Sequence, residues 1–180
     1  PGVPVELAKL KDQYGAAVLQ DKKFNRAAIR SELASDAYSI VHIATHGHFD
    51  SNPQESFLLT YDDRLTMDLL EQSIAGRRLA GSPLEMLVLS ACETAAGDNR
   101  AALGLAGVAL KAGARSAIAT LWKISDAATV QVIDEFYEQT AKDQLSKAQA
   151  LRLAQTKLIH SKQFYHPTDW APFLLIGNWL

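Results

Sequence analysis

The sequence holds one cysteine, Cys92. No intramolecular disulfide can form, which excludes a small cross-linked secreted scaffold and favours a reducing, cytoplasmic setting. Charge of one sign is also missing: 18 Lys and Arg stand against 20 Asp and Glu, a net charge of −2. Without a basic field, the electrostatic footprint of direct nucleic-acid binding or of attachment to an anionic membrane is absent. No apolar run reaches the ~20 residues that span a bilayer. The opening stretch, PGVPVELAKLKDQYG, has neither an initiator Met nor the apolar core of a signal peptide, as expected of a processed or excised domain. There is no internal repeat and no low-complexity segment. A dinucleotide-binding GxGxxG after a strand, a GxSxG elbow and a P-loop are all lacking, which disfavours nucleotide enzymes and serine hydrolases.

What is present is a globular composition. Hydrophobic residues make up 48% of 180, enough for a real core, and the length suits one domain across residues 1–180. Short apolar runs alternate with amphipathic ones. Strands are predicted over 16–19, 39–44, 85–90, 116–121 and 173–176. Helices are predicted over 5–11, 25–33 with Asn25 as N-cap, 67–74, 103–112, 127–140 and 146–160. Residues 57–60 and 64–66 flank Tyr61-Asp62-Asp63 and read as a hairpin. Strands apolar on both faces, alternating with helices, predict an α/β fold with a mainly parallel sheet covered on both sides. Gly104 and Gly107 are expected to let their helix approach the sheet closely.

Ligands of open α/β sheets bind beyond the carboxyl ends of the strands. Two strand ends carry reactive groups. SIVHIA runs into Thr45-His46-Gly47-His48, and EMLVLS runs into Ala91-Cys92-Glu93-Thr94. On neighbouring strands, ~4.8 Å apart, His46 and Cys92 would face each other as a base and a thiol. Either residue alone would more often be structural: a lone Cys is usually a small buried hydrophobe. Their matched positions reverse those odds. His42, inside the strand, reads as a satisfied core histidine, and His48 as a residue either supporting the reactive pair from behind or at the rim of the cleft.

VHIATHGHF, LVLSACETAAG, ALKAGARSAIATLWKISD, FYEQ, ALRLAQ and HPTDWAPFLLIGNW succeed one another at compatible spacings over nearly the whole chain. In this order they resemble a CHAT domain, a caspase-like (clan CD) family of cysteine peptidases distantly similar to separase. The resemblance implies a caspase–haemoglobinase-like three-layer α/β/α sandwich and a cysteine endopeptidase acting on protein or peptide substrates without a cofactor. It also implies His46 as catalytic base and Cys92 as nucleophile. Backbone N–H groups of Gly47 and Cys92 are the expected oxyanion hole. Family domains usually carry a first strand ahead of the segment that opens here, and they often lie C-terminal to helical (TPR) repeats. A regulatory TPR-type region or partner, and latency without it, are therefore expected. In separase-like relatives an Asp after a similar LW segment is thought to bind a basic side chain. By that likeness Asp126 would read Arg or Lys, with Trp122 walling the pocket, although Ser125 and Asp126 equally suit helix capping.

Two other readings compete. A caspase-like fold can serve as a non-catalytic interaction module. His46-Gly-His48-Phe-Asp50 also fits HxHxD, the start of a zinc-hydrolase motif, but Ser51 stands where the next His belongs. No metal is expected.

Overall fold

Apolar strands with both faces buried need helices on either side, and the chain alternates accordingly. The structure, a computed structural model, describes residues 2–49, 53–90, 93–94, 101–142 and 145–180. Its elements run α1 (Gly2–Tyr14), α2 (Arg26–Ala34), β1 (Ile40–Ile43), β2 (Gly47–Phe49), β3 (Phe57–Leu59), β4 (Arg64–Thr66) and α3 (Met67–Leu79). Then come β5 (Met86–Leu89), β6 (Glu93–Thr94), α4 (Ala101–Ala112), β7 (Ser116–Thr120), α5 (Asp126–Thr140), α6 (Lys147–Ile159), α7 (Pro167–Trp170) and β8 (Phe173–Gly177). The architecture is α/β with a mainly parallel sheet, as expected.

Two compact units are formed. One comprises Leu19–Lys123 with Ile176–Asn178. Its main sheet has the order β1-β5-β7-β8, the last strand entering through Ile176 and Gly177. β1 runs parallel to β5 with Ile43 opposite Leu89, and β5 parallel to β7 with Val88 opposite Ile118. Every residue of β5 and β7 is buried. Ile29 and Leu33 of α2, Leu70 and Ile74 of α3, and Ala106 and Ala109 of α4 share one core with Leu87, Leu89, Ala117 and Ala119 of the sheet. Gly107 is not the close-approach residue expected: it is exposed, and a Cβ there would meet nothing within 4 Å. The surroundings of Gly104 lie outside the described residues; Ala106, Ala109 and Ala112 of α4 are buried in the core. α3 continues past the predicted end at residue 74. Arg77 is buried there, its guanidinium donating to the carbonyls of Ser82 and Tyr38. Those bonds offset the cost of burying the charge and hold the last turn.

The predicted strand over 16–19 is absent. Gly15, at φ +66°, ends α1, and the Ala16 N–H turns back to the Leu10 carbonyl, so the segment has no ladder. Asn25 caps α2 as expected, accepting from the Ala28 N–H at 2.9 Å.

The other unit comprises Pro1–Val18, Ile124–Leu175 and Trp179–Leu180. Leu10, Ile133, Phe136, Leu151, Leu158 and Phe173 are buried in it. Ser125 caps α5, and a reciprocal Ser146–Gln149 capping box opens α6. Lys157 of α6 pairs with the buried Glu135 of α5, which also accepts from Gln139 at 2.6 Å. Burial pushes the Glu135 carboxyl upward, but these two donors outweigh it and leave it below the usual carboxylate range.

Candidate active site

β1 and β5 leave the main sheet side by side. The Ser90 N–H donates to the Ile43 carbonyl at 3.2 Å, extending the parallel ladder one residue beyond β5. His42 Nε2 lies 3.0 Å from Ser90 Oγ, so the strand histidine is hydrogen-bonded as expected. Ser90 is buried and stands two residues before Cys92 in the chain.

The segment bearing His46 is not a free loop. It enters a second sheet, ordered β4-β3-β2-β6, in which the predicted hairpin supplies β3 and β4 while β2 and β6 were not expected. β2 pairs antiparallel with β3, Gly47 opposite Leu58 and His48 opposite Phe57. On its other side β2 pairs parallel with β6, His48 opposite Glu93 and Phe49 opposite Thr94. The two chain segments are thus joined by ladders both before and after the reactive motifs. Ile43 is matched to Leu89 before them, and His48 to Glu93 after them. Four residues separate the ladders on the first segment (44–47) and three on the second (90–92), so the register shifts by one between them.

Three features fix the backbone around His46. The Leu59 N–H donates to the His46 carbonyl at 2.8 Å, and the Thr45 hydroxyl donates to the Leu59 carbonyl at 2.8 Å. Gly47 is buried within β2. Successive backbone groups of a strand face opposite sides. With His46 bonded toward β3, the N–H of Gly47 faces β6.

Pleating then sorts the side chains of this small sheet. Leu58 and Leu65 are each 1% exposed and belong to the core. The alternate residues, His46, His48, Phe57, Leu59 and Arg64, lie on the outer face, where Leu59 is 41% exposed. His48 packs on Phe57 with ring centroids 5.6 Å apart, and the Arg64 guanidinium carbon lies 4.2 Å above the same ring. His48 is therefore part of a stack on this face. The hairpin was legible in the sequence, but the stack depends on the register of three strands, and β2 carries no periodic signal.

Cys92, as nucleophile and as half of the oxyanion hole, lies outside the described residues, as does Asp50 of HxHxD. The structure describes their neighbours Ser90, Glu93 and Phe49. Trp122 is half-buried, two residues past the end of β7. Asp126 belongs to the other unit, as the first residue of α5. Its Oδ2 accepts the Gly2 N–H at 2.9 Å, and a Cβ on Gly2 would come within 2.7 Å of Asp126 Cβ. Asp126 thus anchors the start of α1. Among the described residues no helix is long and apolar enough to cross a membrane.

A comparison with family models matches the CHAT domain over residues 1–178. Among curated proteins, tetratricopeptide repeat protein 28 of Homo sapiens is 30% identical over 131 residues, and that of Mus musculus 30% identical over 134. Each alignment covers 72% of this chain and 5% of the relative, so the chain spans a small fraction of the proteins it matches. With a parallel sheet, reactive motifs past two adjacent strands and a family match over nearly its full length, the chain belongs to the CHAT-domain family, whose fold is caspase-like.

Proposed function

We propose that the chain is a cysteine endopeptidase using His46 and Cys92. The observation that carries this reading is the pair of parallel ladders, β1–β5 and β2–β6, that bracket both motifs. Glu93, the covalent neighbour of Cys92, is matched to His48, two residues past His46.

In the proposed mechanism His46 takes the proton from Cys92 Sγ, and the thiolate attacks the scissile carbonyl. The oxyanion is stabilised by backbone N–H groups of Gly47 and Cys92, and the orientation of Gly47 toward β6 supports its part. His46 passes the proton to the leaving amine as the C–N bond breaks, leaving a thioester on Cys92. It then takes a proton from water, whose oxygen attacks the thioester, and the acid and the free thiol are released. Asp126 and Trp122 remain proposed contacts for a basic side chain next to the cleaved bond. For Asp126, such contact competes with its bond to Gly2. Tetratricopeptide repeat proteins among the relatives support a regulatory TPR-type region or partner, and a lone cysteine supports a reducing compartment.

The experiment offers quenched peptide libraries to the protein, alone and with TPR-bearing partners, and follows a thiol-directed acyloxymethyl-ketone probe. Hydrolysis insensitive to EDTA and labelling of Cys92 are expected. No labelling under any of these conditions would favour an interaction module, and EDTA-sensitive hydrolysis restored by zinc would favour a metal enzyme.

A further inference from the structure

We propose that the outer face of the small sheet is an anion-reading subsite in which Arg64 takes a carboxylate side chain of the substrate, about three residues along an extended peptide from the cleaved bond. The inference rests on the peptidase reading and adds a substrate class to it.

Register supplies the distance. His46 is bonded to Leu59, and Leu59 is the ladder partner of Arg64, so the three lie in one row across adjacent strands. Two strand spacings give about 10 Å, which an extended peptide covers in about three residues. Pleating supplies the side: His46 and Arg64 share the solvent-facing surface, with the core residues Leu58 and Leu65 on the other.

Charge supplies the ligand. A guanidinium keeps its charge at every relevant pH and presents a planar fork that suits a carboxylate. Phe57 supports that of Arg64 by cation–π contact, the guanidinium carbon lying 4.2 Å from the ring centroid. The nearest carboxylates in sequence are committed elsewhere. Asp63 Oδ2 pairs with Arg26 at 2.7 Å, and Asp63 Oδ1 accepts the backbone N–H of Arg64 at 2.8 Å. Asp62 Oδ1 accepts the Arg26 N–H and the Thr60 hydroxyl, each at 2.9 Å. Those bonds, the Arg26 N–H first, hold the Asp62 carboxyl below its ordinary range. Among the described residues the Arg64 guanidinium has no hydrogen-bond acceptor. Leu59, beside it in the row, offers an apolar floor for the stem of a Glu side chain.

The test uses quenched peptides that differ only in Glu, Gln or Lys three residues to either side of the cleaved bond. Wild type should cleave the Glu peptide about tenfold faster in kcat/KM than the Gln peptide, equal to ~1.4 kcal/mol. The ratio should shrink as salt is raised. Arg64→Glu should invert the preference toward Lys. Arg152→Glu, the same charge change on an exposed face of α6, should leave it as in wild type. Equal cleavage of Glu and Gln peptides by wild type and Arg64→Glu overturns the subsite and leaves the peptidase intact. No cleavage of any peptide, with Cys92 unlabelled by the ketone probe, overturns both, and the probe distinguishes the two failures.

Discussion

Replacing His46 by Ala is expected to lower kcat/KM for peptide hydrolysis by about 10²- to 10⁴-fold, the usual contribution of a positioned general base. The chemistry demands a loss of this size, because a neutral thiol is a poor nucleophile and the leaving amine needs a proton. The fold should not change. The His46 side chain is exposed, and its structural bond, from the Leu59 N–H, is made by a backbone carbonyl that Ala retains. The thermal midpoint should therefore stay within about 2 °C of wild type, since surface changes usually cost less than ~0.5 kcal/mol. Steady-state kinetics and a melting curve on the same preparation separate a lost base from a lost fold. Wild-type kinetics in the variant would remove His46 from the mechanism.

A second large effect is expected far from the chemistry. Gly177, at the end of β8, has φ +97°, a conformation that L side chains rarely adopt. A Cβ there would lie 2.4 Å from the Arg115 carbonyl oxygen and 2.7 Å from Leu110 Cδ2. The adjacent Asn178 N–H donates to that same carbonyl at 2.8 Å, so the backbone cannot retreat without losing a bond. Strain and overlap together put Gly177→Ala at about 3 kcal/mol of destabilisation, read as a fall of roughly 6–12 °C in Tm. A variant that melts with wild type would mean that β8 ends differently.

The parts of the fold that could be read in advance are those with strong periodicity or composition. β5 and β7 are apolar at nearly every position and buried at all of them. α5 and α6 are long, and the serines that cap them are recognisable. β2 and β6 could not be read, because three and two residues, GHF and ET, carry no period. They exist because β3 and the first ladder deliver partners to them. The stretch over 16–19 failed in the opposite way: it has strand-forming residues, but Gly15 turns its backbone onto α1. α7 is a single turn too short to carry a period, but Pro167 at the first helical position with His166 as N-cap marks a helix start.

The candidate site was half legible. That reactive residues succeed two neighbouring strands could be argued from HIATHG and VLSACE alone. That a second sheet carries the His46 segment onward, and sets His48, Phe57 and Arg64 on its outer face, depends on the register of three-residue strands too short to carry a period. Asp126, singled out by its position after LWKIS, also accepts the Gly2 N–H, a bond between residues 124 apart in the chain that no motif announces.

Because Cys92 is the only thiol, its alkylation reports on one atom. The rate of reaction with iodoacetamide, followed against pH in wild type and in His46→Ala, measures directly whether the imidazole acts on the sulfur. A wild-type profile whose midpoint lies well below the ~8.5 of a free thiol, moving up to about that value in His46→Ala, is the predicted result. Two superimposable profiles centred near the free-thiol value would contradict the pairing on which the proposed chemistry depends.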